Sequence, residues 1–251
     1  MILEDIVERT RKRVSSMPSE FPEPQASRKA SLAGAIRNRD CRNAVIAEIK
    51  CSSPSKGIIR RNVDMPMMAR VLAGSGCVAL SILTEPCYFG GSIGDLEHVK
   101  KTVDIPVLRK DFIIDERQIA ETLSLGADAI LLIAAVLGDR LPRFVDLALD
   151  FGLEPLVEIH NAVEGKSALA TNTDLIGINN RDLLTLTIDR STTRILSGNI
   201  QDTGRLIVSE SGMRSADDIR EMRPYCDAFL IGSAIMEHRH PQEKLKEFVC
   251  A

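Results

Sequence analysis

Eight short apolar runs, rich in β-branched residues, recur along this chain: Ala44–Ile49, Val78–Leu83, Ile105–Leu108, Ala129–Ile133, Pro155–Ile159, Leu175–Ile178, Leu206–Val208 and Ala228–Ile231. They start roughly 20 to 35 residues apart, the spacing of a strand–helix unit. Most of the gaps hold helix candidates, at Met65–Ala73, Glu116–Leu125, Arg140–Phe151, Ala162–Ala170, Ala216–Met222 and Gln242–Val249. A strand that is apolar throughout is buried on both faces, and strands separated by helices run parallel. Eight such units with no break in composition predict an α/β protein, a closed (β/α)8 TIM barrel. The chain of 251 residues therefore reads as a single domain over 1–251, with 1–43 as an N-terminal helical extension. An open doubly wound sheet is the competing arrangement. The glycine-rich dinucleotide fingerprint it often carries after its first strand is missing.

The extension begins with Met1 to Val14, where Ile2, Leu3, Ile6, Val7 and Val14 alternate with charge. That pattern is an amphipathic helix, not the uninterrupted apolar stretch of a secretory signal. Its apolar stripe predicts packing on its own barrel, as a plug of the barrel bottom or as a contact surface. Pro18, Pro22 and Pro24 mark the stretch to Gln25 as an irregular connector. A net charge of -3 argues against a nucleic-acid partner, and seven Phe, two Tyr and no Trp exclude an aromatic stacking platform. Cysteines at 41, 51, 77, 87, 226 and 250 form no CxxC pair and no Cys/His cluster. The sequence thus predicts no metal site, no disulfide framework and no membrane segment, and places the chain in the reducing cytoplasm.

The chemistry lies in what ends each run, because barrels of this kind carry their active sites at the strand C-termini. The first run ends Glu48-Ile49-Lys50, and a spacing of two puts both charges on one side of the strand. The third continues into Arg109-Lys110-Asp111-Phe112, the fifth ends Glu158-Ile159-His160, and the sixth meets Asn179-Asn180-Arg181-Asp182-Leu183. The seventh continues into Ser209-Glu210-Ser211-Gly212 and the eighth into Gly232-Ser233. Any one of these is explained by a salt bridge closing the barrel top. Together they predict carboxylates and lysines converging in one bowl and shifting each other's pKa, as acid–base chemistry requires. The small residues after the last two runs, with a helix starting near Ser215, would let backbone N–H groups approach an anion. Such residues also simply make turns, but in this barrel position they favour a phosphorylated small-molecule substrate.

Several of these stretches are long enough to be specific. Glu48-Ile49-Lys50 followed by Cys51-Ser52-Ser53-Pro54-Ser55-Lys56-Gly57 resembles the first-strand signature of the indole-3-glycerol phosphate synthase family. The resemblance continues through Leu83-Thr84-Glu85, Phe89-Gly90-Gly91-Ser92, Leu108 to Phe112, Leu156 to His160, Gly177 to Leu183, Ser209 to Gly212 and Gly232-Ser233. Two departures are visible: Cys51-Ser52 replaces a more basic pair, and Ser31-Leu32-Ala33 lacks an aromatic residue.

The resemblance implies a carboxy-lyase of tryptophan biosynthesis. It would close 1-(2-carboxyphenylamino)-1-deoxyribulose 5-phosphate to indole-3-glycerol phosphate with loss of carbon dioxide and water. By the same resemblance Lys110 would be the general acid of ring closure and Glu158 the base of dehydration. Lys50 and Glu48 would assist the proton transfers, with Glu210 and Ser211 also in the catalytic set and Asn179 orienting Glu158 or a substrate hydroxyl. Which group is the acid of dehydration stays open. Lys50 and Arg181 suit the ring carboxylate and the phosphate, while Phe112, Leu131 and Leu183 match positions that pack the aromatic ring. Ser53 and Pro54 fall in a segment long enough for a mobile lid, and Gly212, Gly232 and Ser233 would take the phosphate. No cofactor is expected. Three rivals remain: a phosphoribosylanthranilate isomerase using Cys51 and Asp182, a Schiff-base aldolase built on Lys110 or Lys50, and a catalytically silent phosphate-binding subunit. Association with neighbouring enzymes of the pathway is left open.

Overall fold

A computed structural model describes residues 2–21, 30–40 and 43–251. Met1, Cys41 and the connector residues Pro22, Pro24 and Gln25 lie outside the described residues. Eight parallel strands close into a barrel: β1 Ala44–Ile49, β2 Ala79–Leu83, β3 Val107–Lys110, β4 Ala129–Ile133, β5 Glu154–Ile159, β6 Leu175–Asn179, β7 Leu206–Glu210 and β8 Ala228–Ile231. Each pairs with its sequence neighbours, and β8 returns to β1 with Ala44 opposite Ala228. The apolar runs are strands because both their faces are covered. Val45, Ala47 and Ile49 of β1 pack outward against helices, whereas Ala44 and Ile46 point into the barrel.

The helices are α1 Ile2–Ser15, α2 Leu32–Arg37, α3 Met65–Ala73, α4 Ile93–Lys100, α5 Glu116–Ser124 and α6 Ala134–Leu137. They continue with α7 Leu141–Asp150, α8 Ala162–Leu169, α9 Ser191–Ser197, α10 Ala216–Met222, α11 Ser233–Glu237 and α12 Pro241–Cys250. Starts are set by caps: Asp64 accepts Met67 N–H, and Asp115 with Gln118 closes a reciprocal box at α5. Two outer helices, α4 and α9, left little trace in the periodicity. Helix α4 buries only Leu96 and Val99 and contains Gly94, and α9 is built largely of Ser and Thr, weak helix formers. No helix among the described residues is long and apolar enough to cross a membrane.

The extension corrects one expectation. The barrel bottom is plugged by α2, whose Leu32, Ala33 and Ile36 join Ile46, Leu108 and Leu175 in the inner core. Glu154 at the foot of β5 holds its N-terminus, accepting Ser31 Oγ at 2.7 Å, Ala33 N at 3.2 Å and Leu32 N. Helix α1 does pack on its own barrel, but at the opposite mouth. Arg13 Nη2 donates to both carboxylate oxygens of Asp111 at 2.9 Å, Tyr88 O–H donates to Asp5, and Ile2, Leu3 and Ile6 face the cavity there. Apolar periodicity reports that a helix is covered. The end of the barrel is chosen by ion pairs to residues far along the chain.

Candidate active site

The strand C-termini and the loops above them enclose a cavity of about 460 Å³. Its floor is a charged cluster. Lys110, at the end of β3, places Nζ 3.0 Å from Glu158 Oε2 on β5 and 3.0 Å from Glu210 Oε2 on β7. Lys50, just past β1, sits 2.8 Å from Glu48 Oε1. Glycines make room for these carboxylates. A Cβ on Gly177 of β6 would overlap Glu210 Oε1 and stand 3.3 Å from its Cδ, and one on Gly232 would overlap Glu48. Glu48 Oε2, Glu210 Oε1, Ser53 Oγ and Ser81 Oγ are buried without a hydrogen-bond partner among the described residues.

The three groups at the centre perturb one another strongly. Burial alone would lower the Lys110 ammonium, but Glu158, Glu210 and Glu48 outweigh it and hold Lys110 above the usual lysine range. Burial alone would raise Glu158, yet Lys110 and His160 hold it well below the usual carboxylate range. For Glu210 burial prevails, helped by the charge of Glu158 and opposed by Lys110, and its carboxyl is pushed up to about 7. Two carboxylates on one ammonium therefore differ in character: one stays ionised, the other exchanges protons near neutrality.

All the residues expected from sequence line this one cavity. Phe112, Leu131 and Leu183 supply apolar wall, with Leu131 in the inner barrel core beneath. Asn179 accepts Arg181 N–H at 3.0 Å and is not hydrogen-bonded to Glu158. The half-buried Arg181 donates to Leu186 O at 2.9 Å, and burial lowers its guanidinium pKa. Ser53 and Pro54 belong to a small hairpin in which Ser53 pairs with Gly57. That hairpin is tied across the cavity by Lys56 to Glu237, by Ser52 Oγ to Tyr88 O at 3.2 Å and by Arg60 to His238 O at 2.8 Å.

The anion-binding end needs one adjustment. The N-terminus of α10 is already closed by its own box, since Ser215 and Asp218 cap each other and Asp218 also accepts Arg214 N–H at 2.8 Å. The uncapped N-terminus is that of α11, where Gly232, Ser233 and Ala234 line the cavity with no side-chain cap. Beside it Ser211 and Gly212 adopt consecutive left-handed conformations, φ 65° and 96°. At Gly212 a side chain would crowd Ile188 and Arg190 at 3.0 and 3.1 Å. Non-glycine residues held in this region cluster at functional turns.

Outside the cavity, the Cys51 and Asp182 pairing of the isomerase rival finds no support. Burial raises the Cys51 thiol, and exposed Asp182 accepts Leu184 N–H and Thr185 N–H in its own turn. His160, which the sequence places at the end of the fifth run without a role of its own, also belongs to the charged cluster. Its ring lies 3.3 Å from Glu158 Oε1 and 3.1 Å from Glu164 Oε2. The signal was there, because Glu158-x-His160 repeats the spacing of Glu48-x-Lys50.

The chain is similar to known proteins along most of its length. The family model described as "Indole-3-glycerol phosphate synthase" matches residues 3–248. Among curated relatives, the indole-3-glycerol phosphate synthase of Caldanaerobacter subterraneus subsp. tengcongensis is 45% identical over 207 residues, 82% of this chain and 80% of that relative. The one from Pyrococcus furiosus is 43% identical over 222 residues, 87% and 96% of the two chains. The one from Methanocaldococcus jannaschii is 44% identical over 228 residues, 90% and 85%. Among solved structures, a tryptophan synthase chain from M. tuberculosis shares the fold alone. Its TM-score is 0.63 at 12% identity, covering 88% of this chain and 98% of that one.

Proposed function

The chain belongs to the indole-3-glycerol phosphate synthase family, and from that premise we propose how its bowl of charges carries out the reaction. The enzyme is a carboxy-lyase of tryptophan biosynthesis. It converts 1-(2-carboxyphenylamino)-1-deoxyribulose 5-phosphate into indole-3-glycerol phosphate, carbon dioxide and water. The observation that carries the assignment of roles is the Lys110 ammonium on the cavity floor, 3.0 Å from both Glu158 and Glu210.

In the first step the ring carbon bearing the carboxylate attacks the ketone carbon, and the ketone oxygen takes a proton. Lys110 gives that proton. The carboxylates around it ensure that it enters the reaction charged. Departure of carbon dioxide returns a bonding pair to the ring and restores its aromaticity. Dehydration then removes the new hydroxyl and a proton from the neighbouring carbon. Glu158 is the base. Once Lys110 has given up its proton, the larger of the charges that hold Glu158 low is gone, so its basicity rises at the stage that uses it. Glu210, with its pKa near 7, passes protons between these steps, assisted by Glu48 and Lys50.

Lys50 and Arg181 face the two anions, the ring carboxylate and the phosphate. A lysine point charge suits a carboxylate that must leave, because binding the ground state as tightly as the transition state does not lower the barrier. Ser211, Gly212, Gly232 and Ser233 hold the phosphate against the uncapped start of α11, and Phe112, Leu131 and Leu183 pack the aromatic ring. Asn179 fixes the backbone leading to Arg181. The steps use no cofactor, since the ketone is the electrophile and the nitrogen lone pair drives the attack. We place the reaction in the cytoplasm, where free Cys51, Cys77 and Cys226 stay reduced.

The test is direct. Purified protein given the anilino-deoxyribulose phosphate should generate indole absorbance and fluorescence. Folded protein that yields no indole product refutes the assignment.

A further inference from the structure

Glu158 is held from two sides, and only one of them belongs to the reaction described above. Its Oε2 is on Lys110 at 3.0 Å, while its Oε1 is in ion-pair contact with His160 Nε2 at 3.3 Å, a buried nitrogen with no aligned hydrogen bond among the described residues. The histidine is itself fixed. Glu164 Oε2 accepts His160 N–H at 2.7 Å and lies 3.1 Å from its Nδ1, and Glu164 Oε1 accepts Asn161 Nδ2 at 2.6 Å. Asn161 caps α8 by accepting Val163 N–H and Glu164 N–H, each at 3.0 Å. The turn from β5 into α8 is thus a rigid bracket that presents one imidazole nitrogen to each of two carboxylates. The ring is mostly buried, with 11% of its side chain exposed.

We propose that His160 is a positioning residue for the reaction, an imidazolium clamped by Glu164 that fixes Glu158 through Oε1 and leaves Oε2 aimed at the reacting centre. The proposal rests on the assignment of Glu158 as base. The charged groups facing the ring are Glu158 on β5, Glu164 on α8 and Asp182 in the loop after β6, all carboxylates, with Lys110 behind Glu158. Burial opposes protonation, but Glu158 and Glu164 raise the ring to about 10, so it carries its charge throughout the working range. When Lys110 gives its proton to the substrate, the imidazolium remains. It keeps Glu158 from swinging after the departing charge and limits how far its basicity rises.

Two measurements separate this role from a purely structural one. In the intact wild-type enzyme, the imidazole resonances of His160 in a proton–nitrogen NMR titration should stay those of the doubly protonated ring from about pH 6 to about pH 8.5. A titration midpoint near the ordinary ~6.5 of histidine overturns the proposal, whatever the enzyme's activity. His160→Gln keeps a donor but removes the charge. It should lower kcat about tenfold, short of the ~10²-fold that loss of the base itself brings, with KM within twofold. The acid limb of kcat against pH should also move to higher pH, because Glu158 loses a positive neighbour. Glu164→Gln leaves the ring facing Glu158 alone, so the imidazole titration midpoint should fall below that of the wild type. A variant that folds and loses only thermal stability, with kcat and the acid limb unchanged, overturns the proposal. Wild-type protein that makes no indole, with the imidazolium signature intact, refutes the assigned reaction and not the clamp.

Discussion

Replacing Lys110 by Met should make stability fall with pH in a way the wild type does not. The substitution keeps most of the volume but removes the one cation that touches both Glu158 and Glu210. Removing one partner of a buried ion pair destabilises by about 3–5 kcal/mol, and part of that loss is independent of pH. The rest comes from Glu210. In the wild type its carboxyl sits at about 7, above the ~4.3 of an unfolded Glu, so the folded state binds the extra proton and stability declines as pH rises between these values. Above about 7 wild-type Glu210 is ionised beside Lys110, and its contribution becomes flat.

In Lys110→Met the lowering influence of the ammonium is gone, burial and Glu158 act unopposed, and Glu210 titrates higher still. The folded variant keeps a proton that the unfolded chain has lost, so the decline continues at about 1.4 kcal/mol per pH unit. Between pH 7 and pH 9 the gap between variant and wild type should therefore widen by up to about 2.7 kcal/mol. Urea unfolding at pH 6, 7, 8 and 9 measures it. The double variant Lys110→Met/Glu210→Gln should show a gap that no longer depends on pH in this range. Parallel wild-type and single-variant curves, or a gap that narrows toward pH 9, would refute the reasoning about Glu210. Turnover is a separate readout, and Lys110→Met should lose ring closure by at least about 10²-fold.

Gly177→Ala should displace the Glu210 carboxylate, since the new Cβ would overlap Oε1. Weakening its charge-assisted bond to Lys110 by about 1.5–3 kcal/mol should lower kcat roughly 10- to 100-fold, whereas wild-type turnover would show that the barrel relaxes around the methyl. Gly165→Ala in α8 is the control. There the nearest atom is Ile159 Cδ1 at 3.5 Å, so the thermal midpoint should rise with turnover unchanged. At the other end, Glu154→Ala removes the acceptor for Ser31 Oγ and for the N–H groups of Leu32 and Ala33. It should cost about 1–2 kcal/mol in urea unfolding and leave turnover unchanged, and a loss of turnover at full stability would contradict a plug confined to the barrel bottom.

Much of this site could be read because it sits on strand ends, where two constraints coincide. An apolar run has to be covered on both faces, so a charge at its C-terminal end stands out, and residues two apart share a face. Glu48-x-Lys50, Lys110-x-Phe112, Asn179-x-Arg181 and Glu210-x-Gly212 all line the cavity on that rule. Glu158-x-His160 has the same spacing, although only Glu158 of the two lines the cavity. The role of the histidine is not legible from the sequence because its partner Glu164 lies across a turn, where strand parity no longer applies. The pKa ordering was beyond reach for a different reason. Glu158 and Glu210 are alike as residues, and what separates them is the imidazole beside one and not the other.

The run Arg109-Lys110-Asp111 shows where local reading stops and what resolves it. Three charges stand in a row, and parity says only that the middle one faces opposite to its neighbours. Closure of the barrel decides which is which. With Leu83 opposite Lys110 on the neighbouring strand, Lys110 points into the bowl and Arg109 and Asp111 point out. An outward, fully buried arginine then needs partners. It finds Thr84 at 3.1 Å, Thr122 at 3.0 Å, Glu121 at 2.7 Å and Asp111 at 3.1 Å. Asp111 in turn accepts Phe112 N–H at 2.8 Å and, through both carboxylate oxygens, Nη2 of Arg13 on α1. Burial would raise that carboxyl, but Arg109 and Arg13 hold it below its ordinary range, so the bridge stays charged. One short strand end thus supplies the proposed acid on its inner face. On its outer face it anchors the helix whose Ile2, Leu3 and Ile6 give the cavity above that acid an apolar wall.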